Sequence, residues 1–152
     1  MERADRTTQE IVIDSNLSVA QVIPMDYSEP ATALLRAWKQ AMIKIYAPGL
    51  WEYEVASAVR KSVYLKQMTT AKAEQALADI YSLGIKIIPA TIQISQRALY
   101  WAEQIYQFAA YDAQYLALAE SLGADLWTAD ERLYKCAKLV GADWVHWIGE
   151  SQ

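Results

Sequence analysis

Four acidic residues stand out because their types and surroundings suit metal-dependent chemistry. They come from four separate stretches of the chain and are Asp14, Glu54, Asp112 and Asp130. Carboxylate oxygens are the ligands that hard cations such as Mg²⁺ and Mn²⁺ prefer. Several acids brought together repel one another unless such a cation neutralises them, and a bound cation activates water for hydrolysis. The pattern therefore predicts a divalent metal centre able to cleave a phosphodiester.

Each acid also has a purely structural explanation. Asp14 suits a turn after a strand, and Asp112 suits a cap at the start of a helix. Residues 128–131 (TADE) fit a capping box, and helix starts favour acids in any case. Glu54 would find an ion-pair partner in Lys61 on the same helix or in another nearby base. The sequence alone leaves these alternatives open.

Glu54 occupies an awkward place for a structural acid. It lies next to the ridge formed by Val55, Val59 and Val63 on a predicted helix, and a carboxylate beside an apolar stripe pays for desolvation unless a cation or hydrogen bonds compensate. Glu52 lies about 200° round the same helix, so we expect it in solvent. The contrast favours Glu54 as a functional acid.

Composition limits the classes of protein that fit. The chain has 152 residues, 54% of them apolar, which is enough for one globular domain with a real core. One cysteine (Cys136) and one histidine (His146) exclude a zinc site built from several Cys and His ligands, and a lone cysteine favours the reducing cytoplasm. The net charge of −4 argues against broad electrostatic binding of nucleic acid and favours local basic patches.

The chain begins with a polar segment that differs from the rest. Residues 1–10 carry acids, so they are not a secretory signal, and we interpret them as a flexible leader before one domain over residues 11–150. No stretch approaches the roughly 18 uninterrupted apolar residues that a membrane helix needs. We therefore expect no membrane partner.

Strands and helices alternate along the chain. Strands are predicted over residues 11–14, 43–47, 85–89, 124–130 and 143–148. Helices are predicted over residues 28–41, 50–66, 69–83, 91–107, 111–123 and 131–141. This alternation indicates an α/β fold with three layers (α/β/α) and a mostly parallel central sheet of four to five strands. Asp14 and Asp130 would then meet at one edge, where the carboxyl ends of parallel strands lie.

Three segments resemble a known family. The segments are IVIDSNL (11–17), APGLWEYEVASAVRK (47–61) and YDAQYLALAESLGADLWTADERL (111–133). They are similar to the PIN domain, and more closely to the ribonuclease toxins of bacterial toxin–antitoxin pairs of the VapC type. The third segment is the most specific, because both its acids and the strand, turn and helix between them fall where the family has them.

The resemblance implies an activity and a set of roles. Asp14, Glu54, Asp112 and Asp130 would bind one or two Mg²⁺ or Mn²⁺ ions, directly or through water, and an activated water would hydrolyse RNA. Ser15, Asn16 and Thr128, the first residue of the family's TxD motif, would form hydrogen bonds around these acids.

The resemblance also implies partners. A small antitoxin would insert a basic or aromatic segment into the acidic groove, and two catalytic domains would pair as a homodimer. From the residues themselves, Arg60 and Lys61 near Glu54, and Arg132 and Lys135 near Asp130, are candidate contacts to the RNA backbone; the alternative is a solvated charged face.

Two other functions compete with the ribonuclease. In the first, a PIN-fold domain keeps the acids yet serves only RNA binding or assembly, without turnover. A phosphoacceptor signalling domain also gathers acids at strand ends, but it would need an acidic pair after the first strand. Here Ser15 and Asn16 follow Asp14, so the sequence disfavours a phosphoacceptor domain.

Overall fold

The computed structural model describes residues 9–151 and every side chain in that range except that of Ser151. The strands are β1 (Glu10–Ile13), β2 (Lys44–Pro48), β3 (Lys86–Ile88), β4 (Asp125–Thr128) and β5 (Val145–Trp147). The helices are α1 (Ser15–Val19), α2 (Ser28–Gln40), α3 (Leu50–Tyr64), α4 (Thr70–Tyr81), α5 (Ile92–Gln104), α6 (Tyr111–Leu122), α7 (Glu131–Leu139) and a terminal 3₁₀ turn (Ile148–Ser151).

The five strands of the described residues form one sheet in the order β3-β2-β1-β4-β5. Every neighbouring pair is parallel. The predicted α/β/α fold with a parallel sheet of four to five strands is therefore confirmed. Because the chain leaves β1 towards β2 on one side and β4 lies on the other side, the strand order reverses between β1 and β4. Sheets of this kind form their ligand crevice at that point.

The alternation of β1 explains the two helical layers. Ile11 and Ile13 face a core shared with Leu35 and Trp38 of α2. Val12 between them faces the larger core on the other side of the sheet, where α6 packs across the central strands. The interior run of α6 from Tyr115 to Ala119 is buried throughout, so this helix forms the centre of its layer.

The observed elements differ from the predicted ones in two informative places. A short helix, α1, follows β1 directly and has no counterpart in the prediction. β4 ends at Thr128 instead of continuing to Asp130, because Ala129 and Asp130 turn to make side-chain hydrogen bonds. β1 begins at Glu10, one residue before its predicted start, and residues 1–8 of the predicted leader lie outside the described residues.

Within residues 9–151, the longest helices are too short or too polar to cross a lipid bilayer.

Candidate active site

The carboxyl ends of β1 and β4 hold Asp14 firmly. The register pairs Ile13 with Trp127, so Asp14 comes to lie beside Thr128 although 114 positions separate them. The Thr128 hydroxyl donates to Asp14 Oδ2 at 2.6 Å, and the Ala129 amide donates to the same oxygen at 3.1 Å. Asp14 Oδ1 accepts from the Leu17 amide at 3.1 Å and so caps α1. Asp14 is 8% exposed and is bonded on both oxygens.

Asp130 is joined to the same network through Thr128. The Asp130 amide donates to the Thr128 hydroxyl oxygen at 2.9 Å, and Asp130 Oδ1 accepts from the Leu133 amide at 3.0 Å. Asp130 is therefore the N-cap of α7, which confirms the helix-cap explanation of this acid. The capping box over residues 128–131 does not form, because it would place Thr128 at the N-cap. The cap uses one carboxylate oxygen, and the residue stands half-buried at the same sheet edge as Asp14.

Glu54 reaches the site from the second turn of α3, which starts just after β2 ends. Its Oε1 accepts a hydrogen bond from the Tyr115 hydroxyl at 2.6 Å, across 61 positions of sequence. The side chain of Ser15, which is buried, also hydrogen-bonds to Glu54. Within the described residues Glu54 has no ion pair with Lys61, so that explanation is wrong.

Asp112 lies in the first turn of α6, one turn before Tyr115 on the same helical face. It is not the N-cap, a position that Ala110 occupies without a side-chain bond. Asp112 Oδ2 instead accepts from Gln107 Nε2 at 2.8 Å. Gln107 belongs to the α5–α6 loop, so this loop is attached directly to one of the four acids.

Burial and mutual repulsion perturb the two inner acids. The pKa of Asp14 is raised from 3.8 to about 6. Burial raises it most, the three hydrogen bonds that the carboxylate accepts lower it, and the charge of Glu54 raises it. Burial also raises the pKa of Glu54, and the charge of Asp112 adds to that increase. Tyr27 is affected in turn: its burial and the nearby Asp14 raise its pKa to about 12. Asp14, Glu54 and Asp112 thus form one electrostatically coupled group.

The donor set of this group fits a hard cation. All four predicted acids offer carboxylate oxygens. The pKa values of Asp14 and Glu54 are raised, first by burial and to a lesser extent by a neighbouring acid, so a divalent ion would stabilise their ionised forms. Among residues 9–151, no three acidic, histidine or cysteine side chains approach closely enough to enclose an ion by themselves. A Mg²⁺ ion here would therefore keep several water ligands, as Mg²⁺ usually does.

The other predicted residues divide between the site and its surroundings. Ser15 and Thr128 are buried within the hydrogen-bond network, whereas Asn16 is exposed. Four predicted RNA contacts are exposed on helices that begin near the acids; they are Arg60, Lys61, Arg132 and Lys135. Lys61 follows Glu54 by two turns on the same side of α3, and Arg60 points elsewhere. Lys135 forms an ion pair with Glu131 at 2.7 Å.

Two residues of the network escaped the sequence reasoning. Tyr115 is 2% exposed and donates to Glu54, and Gln107 donates to Asp112. The position of Tyr115 carried a usable hint, because a tyrosine on an inward helical face needs a partner for its hydroxyl. Gln107 lies in a loop, where no periodicity indicates a partner.

Comparison with known proteins gives a consistent result. The PIN domain family model matches residues 11–139. VapC ribonuclease from Mycobacterium bovis and ribonuclease VapC9 from Mycobacterium tuberculosis are each 31% identical over 116 residues, which is 74% of this chain and 88% of the relative.

Solved structures share the fold. PAE2754 from Pyrobaculum aerophilum superposes with a TM-score of 0.68 at 22% identity, covering 93% of this chain and 85% of that one. A toxin–antitoxin complex from Klebsiella pneumoniae gives a TM-score of 0.63 at 18% identity, covering 90% and 95%. At these identities the likeness concerns the fold.

Proposed function

Because the chain belongs to the PIN domain family and is similar to VapC ribonucleases, we propose that it is a divalent-metal-dependent endoribonuclease and the toxin of a toxin–antitoxin pair. The observation that carries this proposal is the coupled group of Asp14, Glu54 and Asp112 at the reversal of strand order. Buried acids that repel one another are costly to a fold. A metal-dependent active site would explain why the fold keeps these acids, because a bound cation compensates their charge.

In the proposed mechanism Asp14, Glu54, Asp112 and Asp130 would hold Mg²⁺ or Mn²⁺, directly or through water. The bound ion would supply an activated water and stabilise charge on the phosphate. Hydrolysis would join the water oxygen to phosphorus and break one P–O ester bond, and the proton lost by the water would be balanced by the one that the departing oxygen gains from solvent. Thr128 and Tyr115 keep two of the acids in fixed positions by donating to one oxygen of each.

The remaining parts of the proposal concern partners. Exposed basic residues on α3 and α7, namely Arg60, Lys61, Arg132 and Lys135, would contact the RNA backbone beside the acids. An antitoxin would cover the acidic groove, and two copies would form a homodimer in the cytoplasm. Ile92 and Leu99 lie two turns apart on one side of α5, and both are about two-thirds exposed, which suits burial against a second copy.

A cleavage assay tests the central claim. Single-stranded and structured RNA are incubated with the protein in Mg²⁺, in Mn²⁺ and in EDTA, and the experiment is repeated with Asp14→Asn and Asp112→Asn. We expect EDTA to abolish cleavage and each substitution to slow it about a thousandfold, since a metal ligand contributes several kcal/mol to the transition state.

The two variants control for each other. Asp14→Asn places an amide against three hydrogen-bond donors, so its fold is checked by circular dichroism. Asp112→Asn keeps an acceptor for Gln107 and should fold as the wild type does. Cleavage that survives both EDTA and both substitutions would refute the metal mechanism. RNA binding without any cleavage would instead favour a binding or assembly domain.

A further inference from the structure

Three exposed aromatic side chains surround the entrance to α6. Tyr106 is 98% exposed, Phe108 is fully exposed, and Tyr111 is 66% exposed. Phe108 is the only phenylalanine of the chain, so the one residue of this type stands entirely in solvent. Single exposed aromatic residues are ordinary, but three within six positions are not. We call Tyr106, Phe108 and Tyr111 the aromatic loop.

The aromatic loop is attached to the acidic site. Gln107, between its first two members, donates to Asp112 at 2.8 Å, and Tyr111 directly precedes Asp112 in the first turn of α6. The hydrogen bond fixes the loop backbone relative to a proposed metal ligand. The loop therefore lies beside one of the acids that would hold the metal.

Tyr106 occupies a backbone position that ordinarily selects glycine. Its φ is +59°, and it terminates α5 in a Schellman arrangement: the Gln107 amide donates to the Ala102 carbonyl, and the Tyr106 amide donates to the Glu103 carbonyl. Glycine is found there most often because a side chain is strained in this conformation. Tyr106 adopts this strained conformation although its ring is almost fully exposed.

We propose that the aromatic loop is a stacking platform for unpaired bases of the RNA next to the cleaved phosphate. This inference rests on the proposed ribonuclease function and specifies its substrate as single-stranded at the cleavage site. Aromatic rings bind bases of any sequence, because every base presents a flat π face. Binding of a phosphate group needs positive charge or metal, whereas these rings would contact the uncharged base of each nucleotide.

A protein partner fits the aromatic loop less well. Three aromatic side chains bury at most about 450–750 Å² together, and a stable protein interface buries about 800 Å² from each partner. The loop lies beside an acid cluster, where a cleaved phosphate would have to lie. A second copy has a more suitable apolar surface in Ile92 and Leu99 of α5.

Equilibrium binding of RNA tests the platform. A short fluorescein-labelled single-stranded RNA is titrated by fluorescence anisotropy, in EDTA and again with Ca²⁺ in its place. We expect Phe108→Leu and Tyr111→Leu each to weaken binding about 5- to 100-fold, because leucine keeps apolar surface and loses the π face. Phe108→Trp should bind as the wild type does. Tyr100→Leu, a partly exposed ring that faces Arg97, is the matched control and should leave affinity unchanged.

RNA with abasic nucleotides gives a stricter test. Removing bases should weaken binding to the wild type more than binding to Phe108→Leu, since one of the three ring contacts is already lost in the variant. Tyr106→Gly should retain or raise the melting temperature while lowering RNA affinity. A ring with a merely structural role would show the opposite pattern.

The outcomes separate this inference from the function it rests on. Binding that is indifferent to Phe108 and Tyr111 would overturn the platform alone. A change of oligomeric state in Phe108→Leu, measured by sedimentation and accompanied by unchanged RNA affinity, would show that a second copy occupies the loop. A wild-type protein that neither binds nor cleaves RNA would overturn both proposals.

Discussion

The two halves of the candidate site are built in opposite ways. The inner half, made of Asp14, Thr128 and Asp130, lies at strand ends. A hydrogen bond joins Thr128 to Asp14, 114 positions away in sequence, and the Asp130 amide donates to the Thr128 hydroxyl. The outer half, made of Asp112 and Gln107, is attached to a loop that displays aromatic rings to solvent. A rigid inner half suits chemistry, since charge must stay in place. An exposed outer half suits recognition of a substrate.

The largest expected difference between the halves is in their response to pH. Because the pKa of Asp14 is about 6 in the folded protein against 3.8 ordinarily, the folded state holds this proton more tightly than the unfolded state. Stability from this group is present below about pH 4 and is lost as pH rises through 6, a change of about 3 kcal/mol. Asp112→Asn should leave most of this pH dependence in place, because the charge of Asp112 acts on Glu54 and is not among the causes that shift the pKa of Asp14.

Urea denaturation in EDTA between pH 4 and 7.5 measures this effect, with Asp14→Asn as the reference that lacks the titrating group. Added Mg²⁺ should restore wild-type stability at pH 7.5, because it binds the ionised carboxylates of the folded state only. Equal pH profiles for the wild type and Asp14→Asn would contradict the prediction.

Thr128→Val should reduce stability and activity more than any other replacement of one uncharged residue by another in the inner half. Valine has nearly the same shape, but it removes a donor to Asp14 and the acceptor of the Asp130 amide in a fully buried place. We expect a loss of about 2 kcal/mol in unfolding free energy and a 10- to 100-fold loss of activity. Thr32→Val, which loses a hydrogen bond to Gln21 away from the acids, is the matched control and should retain activity.

Tyr115→Phe tests the connection between the two halves. The hydroxyl lowers the pKa of Glu54 by donating to it, so its removal should raise that pKa further and move the rise of activity to higher pH. We expect about a tenfold loss of activity at neutral pH, recovered in part at alkaline pH. Tyr46→Phe removes a similar hydrogen bond to Glu10 at the other end of the sheet and should change nothing in the pH–rate profile.

Gln107→Ala should have the smallest effect. The hydrogen bond to Asp112 is only partly buried, so its loss should reduce stability by less than about 1 kcal/mol and activity by about threefold. Gln75→Ala breaks a comparable bond to Asp79 on α4 and serves as the control. If Gln107→Ala were as harmful as Thr128→Val, the two halves would not differ in the way described.

The sequence predicts the inner half better than the outer half. Parallel strands bring their ends together, so the meeting of Asp14 and Asp130 follows from the order of the elements. The partners of Glu54 and Asp112 do not follow from it. Tyr115 lies 61 positions from Glu54, and the packing of α6 across the central strands, one of which leads into α3, brings the two together.

The missing helix α1 has a local reason. Its five residues, SNLSV, are too few to show a helical period, and their composition suits a turn equally well. The helix forms because Asp14 accepts the Leu17 amide and because Leu17 and Val19 bury their side chains. Similarly, the predicted β4 extends two residues beyond the observed strand. The strand ends because the Ala129 amide donates a hydrogen bond to Asp14, which is distant in sequence.

The hydrogen bond between Thr128 and Asp14 has a consequence for the synthesis of the protein. A ribosome makes Asp14 114 residues before Thr128, and β1 cannot pair with β4 until β4 exists. Fragments shorter than about 130 residues therefore lack the fourth acid and the donor that steadies the first. The candidate site therefore stays incomplete on the nascent chain until β4 and the start of α7 have been synthesised and can fold onto β1.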